Sequence, residues 1–309
     1  MQYITDNTQF KINKTVVALG FFDGVHLGHR RVINSVVNME SKGYTPLVYT
    51  FSKSPKSILN NSNAEYLTDN KRKAELLDSL GVKYLCEADF TSIKNLSPDK
   101  FVYDILYKSL NAGVVSCGFN YHFGINGTGD ADTLIYECNK YNIKVNIIEP
   151  VILNNTVISS SRIKQEIKLG NISLANEMLG DKFTYTSIIQ AGRQLGRRLG
   201  TPTINQNLDN NIVVPKFGVY ASQVQIDDTY YRAVTNIGTK PTVNYNKVIS
   251  ESWLIDGDFG DLYRKTSTVR LVDFIRPEVK FNSIDELRTA ILTDGKKVKS
   301  MDIYTNIKI

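Results

Sequence analysis

Val16-Val17-Ala18-Leu19-Gly20-Phe21-Phe22-Asp23-Gly24-Val25-His26-Leu27-Gly28-His29 is a short apolar run that breaks into a glycine-rich loop. An amphipathic stretch follows, from about His29 to Ser41, and ends at Gly43. The apolar run predicts a buried strand and the amphipathic stretch a helix. Gly24 and Gly28 let a backbone approach phosphate oxygens closely. His26 and His29 are three residues apart, with His29 at the helix start. Both imidazoles can then reach one point beside a helix N-terminus, where anions are favoured. The chain has only three histidines, so two in one loop is informative. The plain alternative is one helix cap and one surface residue; the strand–glycine–histidine–helix context argues against it.

The same alternation continues outward from this loop. Pro46–Phe51, Lys83–Cys86, Gly113–Cys117 and Lys144–Ile148 read as further strands. Asn70–Leu80, Ser97–Asn111 and Asp130–Tyr141 read as helices between them. Strand and helix in turn predict an α/β domain with a mainly parallel sheet, whose ligands bind at the carboxyl ends of the strands. Two short helices follow, Ser160–Leu169 and Ser173–Leu179, closed by Gly170 and Gly180. Beyond Phe183 the pattern changes to short β-rich runs: Thr184–Ile189, Val219–Ile226, Tyr230–Asn236, Ser250–Ile255 and Ser267–Phe274. That predicts a small antiparallel barrel or sandwich, with Ser283–Leu292 as a closing helix. The boundary is expected near Gly180, giving domains 1–180 and 181–309.

A chain of 309 residues with 42% hydrophobic content is long enough for two cores. Its net charge of +6 is mild for the length and suits anionic substrates such as nucleotides. Cys86, Cys117 and Cys138 are odd in number and widely spaced, which argues against a zinc site or a disulfide framework. Met1–Lys14 lacks a signal-peptide core, and no apolar run approaches the ~20 residues of a membrane span. The expectation is a soluble, cytoplasmic protein without a membrane partner.

Gly20-Phe21-Phe22-Asp23-Gly24-Val25-His26-Leu27-Gly28-His29 resembles the signature of the nucleotidylyltransferase superfamily. Its wording resembles that of the prokaryotic bifunctional riboflavin kinase/FAD synthetases. Ile158-Ser159-Ser160-Ser161-Arg162-Ile163-Lys164 is similar to a second signature of that family, with Lys164 where arginine is usual. Lysine keeps the charge but loses bidentate geometry. Gly118-Phe119-Asn120-Tyr121-His122-Phe123-Gly124 resembles a third segment, in which Asn120 can bond ribose or flavin. Its aromatic residues can pack on a ring system or belong to the core. The resemblance implies a Rossmann-like nucleotidylyltransferase domain that joins the adenylyl group of ATP to FMN. Gly20, Phe22, Asp23, Gly24, Gly28, Ser159, Ser160, Ser161 and Lys164 would then bind ATP phosphate, with His26 and His29 as catalytic groups. Asp23 is also readable as a turn residue.

Gly192-Arg193-Gln194-Leu195-Gly196-Arg197-Arg198-Leu199-Gly200-Thr201-Pro202-Thr203-Ile204-Asn205 is dense in glycine and arginine. Its spacing is not that of a P-loop. No aromatic residue interleaves Arg193, Arg197 and Arg198, so no nucleic-acid partner is expected. The stretch resembles the riboflavin kinase signature. That resemblance implies a flap over ATP at Gly192, Gly196 and Gly200, and magnesium, or another divalent cation, held by Thr203 and Asn205. Alternation puts those two residues on one face, and both offer oxygen ligands. Glu251 matches the family's strand glutamate and is assigned as base for the ribityl hydroxyl of riboflavin. Arg276 either contacts flavin or pairs with a carboxylate. The Asp256–Arg264 loop holds one residue more than the family pattern, with Arg264 where glycine is usual. This keeps a second reading open: an FMN adenylyltransferase whose C-terminal domain is inactive or only senses flavin.

Overall fold

The structure, a computed structural model, describes residues 1–4, 14–192, 196, 199–241, 246–255, 257 and 259–303. Arg193, Arg197, Arg198, Asp256 and Asp258 lie outside the described residues. Contacts divide the chain into two compact units, one of residues 1–64 and 69–159, the other of 65–68 and 160–309.

The first unit is built on β1 (Gln2–Ile4), β2 (Thr15–Leu19), β3 (Thr45–Phe51), β4 (Tyr84–Ala88), β5 (Ala112–Gly118) and β6 (Lys144–Ile148). They form one parallel sheet in the order β1-β4-β3-β2-β5-β6. The helices are α1 (Leu27–Val37), α2 (Pro55–Leu59), α3 (Asn70–Ser79), α4 (Phe90–Ile93), α5 (Pro98–Lys100) and α6 (Ala131–Asn139). A π-helical run, Phe101–Ser109, continues α5. Every residue of β2 is buried. Its Val17 and Leu19 pack with Phe101, Leu106 and Leu134, while Val16 and Ala18 pack with Val32, Ile33 and Leu77. Helices on both faces therefore explain why the run is apolar throughout rather than alternating. Strand order reverses between β2 and β5, the switch point at which such sheets bind ligands. The loop after β2 begins there. β7 (Ile152–Leu153) and β8 (Thr156–Val157) form a small hairpin that delivers the chain to Ile158 and Ser159.

The second unit holds α7 (Ser160–Leu169), α8 (Ile172–Leu179) and six strands: β9 (Phe183–Ile188), β10 (Thr203–Asn207), β11 (Gly218–Ile226), β12 (Thr229–Pro241), β13 (Asn246–Leu254) and β14 (Thr266–Arg276). They pair antiparallel in the order β10-β13-β12-β11-β14-β9. Gln190 N donates to Asn205 O at 2.8 Å, which joins the two edges and closes the sheet into a small barrel. A closing helix, α9 (Ile284–Ser300), starts at Ser283, whose side chain caps the Glu286 N–H.

Contacts place α7 and α8 in the second unit. The reason lies in α8: its buried Asn176 donates to Leu271 O on β14 at 2.9 Å and accepts from Phe183 N on β9 at 2.7 Å. Glu65–Thr68 also joins this unit, through Tyr66 N to Asn211 O and Val213 N to Tyr66 O.

Candidate active sites

Gly20 continues β2, its N–H donating to Tyr49 O on β3, and Thr50 Oγ1 donates to Phe21 O at 2.9 Å. The end of β3 thus anchors the loop. Phe22 and Val25 then take left-handed φ of 57° and 42°, and Gly24 takes 83°. Left-handed backbone at a β-branched valine is strained, and such strain gathers at ligand sites. Asp23 and His26 are buried.

His26 caps α1: its Nδ1 accepts from His29 N at 3.3 Å. That bond leaves the proton on Nε2, free to donate. The two imidazoles stack with centroids 3.5 Å apart, and Phe22 meets His29 edge-on at 5.3 Å. Burial lowers the His26 pKa to about 4. Burial, and then the charge of His26, holds His29 well below its ordinary value. Both rings are therefore neutral at pH 7, and they act as hydrogen-bonding groups rather than cations. A Cβ on Gly28 would lie 3.1 Å from the His26 ring and 3.9 Å from Ile158 O. The residue before Ser159 therefore runs alongside the first turn of α1.

Ser160, Ser161 and Lys164 open α7, with Lys164 Nζ 5.9 Å from the Tyr66 ring centroid. The aromatic residues after β5 divide their roles. Phe123 is core, packed on Phe101; Tyr121 stacks on Phe123; Phe119 is exposed beside the exposed Asn120.

In the second unit, the sheet register builds the site. Asn205 on β10 is opposite Glu251 on β13, and Glu251 is opposite Asn236 on β12. One carboxylate thus stands in a row between two carboxamides, and directly opposed residues share a face. Thr203 is two residues from Asn205 on that face. Thr203, Glu251 and Asn236 line a pocket of about 850 Å³, open mouth included, with Thr201, Arg276 and Asp294. Trp253, Phe281 and Ile291 give it an apolar wall. Arg276 is held by Asp294 through Nε at 3.0 Å and Nη2 at 2.8 Å, beneath the Phe281 ring.

Two of the glycines expected to form a flap lie close to this row. A Cβ at Gly192 would lie 2.2 Å from Asn205 Nδ2. One at Gly196 would lie 2.4 Å from Thr201 O and 3.3 Å from Thr203 Oγ1. Gly200 turns with φ 76°. Any larger residue at 192 or 196 would move the groups beneath it.

Sequence reasoning did not single out Thr50, Lys73, Asn236 or Asp294. Asn236 ends the expected strand Tyr230–Asn236, but only the β12–β13 register sets it beside Glu251.

A parallel-sheet unit with a histidine pair at its switch point, and a small barrel with a carboxylate set between amides, suit a two-site enzyme that transfers phosphorus-containing groups. The family comparisons give the particular kind. A model of the FAD synthetase family matches residues 8–162, and one of the riboflavin kinase family matches 179–301. The bifunctional riboflavin kinase/FMN adenylyltransferase of Listeria monocytogenes is 32% identical over 302 residues, 96% of this chain and 95% of that protein. The protein of the same name from Bacillus subtilis is 32% identical over 301 residues, 96% and 94% of the two chains. A solved Streptococcus pneumoniae structure described as a macrolide-efflux protein superposes with a TM-score of 0.90 at 28% identity, over 97% of this chain and 99% of that one. The chain belongs to the bifunctional riboflavin kinase/FMN adenylyltransferase family. Among the described residues, no helix is long and apolar enough to cross a membrane.

Proposed function

We propose that the barrel unit phosphorylates riboflavin with ATP, giving FMN and ADP. The parallel-sheet unit then adenylylates FMN with a second ATP, giving FAD and pyrophosphate. The observation that carries the kinase half is the row Asn205–Glu251–Asn236 beside Thr203. Convergence of Thr203, Asn205 and Glu251 favours a working kinase over an inactive or merely flavin-sensing barrel.

In the barrel, Glu251 takes the ribityl hydroxyl proton as that oxygen attacks the γ-phosphorus of ATP, and the bond to ADP breaks. The Thr203 hydroxyl and the Asn205 side-chain carbonyl are oxygen donors of the kind magnesium takes, so this donor set fits the ion. Magnesium bound there supplies charge neutralisation on the ATP phosphates. Gly192, Gly196 and Gly200 cover the nucleotide. The apolar wall of Trp253 and Phe281 suits a flavin ring, with Arg276 fixed by Asp294 at its edge.

Adenylyl transfer needs no strong base, because the FMN phosphate, with a second pKa of about 6, is already ionised. Its oxygen attacks the α-phosphorus of ATP and pyrophosphate leaves. His26 donates through Nε2–H to the developing negative charge, and stacked His29 completes the neutral pair. Gly20, Phe22, Asp23, Gly24 and Gly28 shape the loop around phosphate. Ser159, Ser160, Ser161 and Lys164 are assigned to phosphate, and Asn120 to flavin. We place the enzyme in the cytoplasm, where Cys86, Cys117 and Cys138 remain buried thiols.

Product analysis with two single variants tests this division. Glu251→Gln should make FAD from FMN but not from riboflavin, and His29→Ala should stop at FMN. A Glu251→Gln enzyme that phosphorylates riboflavin at the parent rate would remove the base assignment.

A further inference from the structure

Lys73, on α3, is 2% exposed, a rare position for an ammonium group. Its Nζ donates to Phe51 O at the carboxyl end of β3, 2.8 Å away. It reaches Glu87 Oε1 on β4 at 3.4 Å. It also lies 5.2 Å from the centroid of the Phe21 ring, in the loop that follows β2. Burial pulls its pKa down, while Glu87 and then the Asp23 carboxylate push it up. One cation thus serves three neighbouring strand ends, on the edge of the sheet where ligands bind. Of its three contacts, the Phe21 ring belongs to the signature loop, and the Asp23 carboxylate of the same loop acts on it through its charge.

A buried ion pair is costly to form and is a weak source of stability. An apolar side chain would fill this place with less desolvation, so the charge itself calls for a use. Asp23 is buried in a loop that must accept a polyphosphate, and a carboxylate there repels it. Lys73 offsets that charge and holds the Phe21 face by a cation–π contact.

We infer that Lys73 is a positioning residue for adenylyl transfer, fixing Phe21 and neutralising Asp23 so that the loop accepts ATP. The inference rests on the assignment of Gly20–His29 as the ATP phosphate site. Lys73 acts through the loop, so its loss changes ATP binding more than turnover of the bound complex.

Steady-state kinetics of FAD formation from FMN and ATP, in the full-length enzyme with magnesium, test it. Lys73→Met keeps the alkyl stem and removes the charge. It should raise the ATP KM about tenfold, the effect of one partly screened charge at close range, with kcat within about threefold. Riboflavin phosphorylation by the same chain should not change. Lys73→Arg keeps the cation and should restore the ATP KM to within about threefold of the parent. If Lys73→Met does not fold because Glu87 is left unpaired, the neutral double variant Lys73→Met/Glu87→Gln replaces it, with the same tenfold rise expected. An ATP KM within twofold of the parent in either charge-free variant overturns the inference. So does Lys73→Arg being as impaired as Lys73→Met. His29→Ala, run in parallel, separates the two levels. If it forms FAD at the parent rate, the loop assignment itself fails. If it is inactive while Lys73→Met is unaltered, only the role of Lys73 fails.

Discussion

Acidification should weaken the first unit through His26, and His26→Gln should remove part of that dependence. Burial lowers this imidazole from 6.5 to about 4. Across that window the unfolded chain binds a proton at position 26 that the folded chain does not. Stability at this site is therefore fully present above pH 6.5 and is lost as the pH falls towards 4. At ~1.4 kcal/mol per pH unit the full window amounts to about 3 kcal/mol. His29 adds to the loss in the same direction, because its pKa is also lowered. His26→Gln keeps a side-chain acceptor near His29 N but binds no proton. The assay is native-state hydrogen exchange of β2 and α1 amides from pH 7 to 4.5, parent against variant. Carboxylates common to both proteins cancel in the difference. The variant's opening free energy should fall less steeply, by up to ~1.4 kcal/mol per pH unit, while amides of the second unit behave alike in both proteins. Equal slopes in β2 and α1 would refute the reasoning, since a His26 that titrates normally contributes no such window.

Three further outcomes are expected. Glu251→Gln should lower riboflavin phosphorylation about 100-fold or more, the usual worth of a positioned base, and leave FAD formation from FMN unaltered; coupled ADP and pyrophosphate assays read the two steps separately. Gly196→Ala puts a Cβ 2.4 Å from Thr201 O. That shifts backbone beside Thr203 by nearly 1 Å, and kinase kcat/KM should fall about 100-fold with adenylyl transfer intact. Asp294→Asn removes the charge that holds Arg276, in a pair whose acid is 5% exposed. The second unit should lose about 3 kcal/mol, read by the fluorescence of Trp253, the chain's single tryptophan, against which α9 packs at Gly295.

The central strand and its loop were legible because β2 is covered on both faces and its exit is written in glycine and histidine. The barrel strands were legible where one face is apolar, as in β11. β10 was not, because Thr203-Ile204-Asn205-Gln206-Asn207 carries one apolar residue; it is a strand by pairing with β13. α9 runs to Ser300, eight residues past its expected end at Leu292. Gly295 looks like a breaker, yet a Cβ there would lie 2.4 Å from the Trp253 ring, so the glycine admits the ring and the helix continues. In the candidate sites, it was the family resemblance that pointed to Glu251, Thr203 and Asn205, while a neighbour brought in by register, such as Asn236, has no local signal. Lys73 reads as a solvated lysine on a polar helix; only the fold buries it.

The account stands most directly on the products made from riboflavin. The purified enzyme, given riboflavin, excess ATP and magnesium, should form FMN first and then FAD. It should release ADP in the first step and pyrophosphate in the second. Riboflavin left unchanged, in a preparation that still converts FMN to FAD, would contradict it.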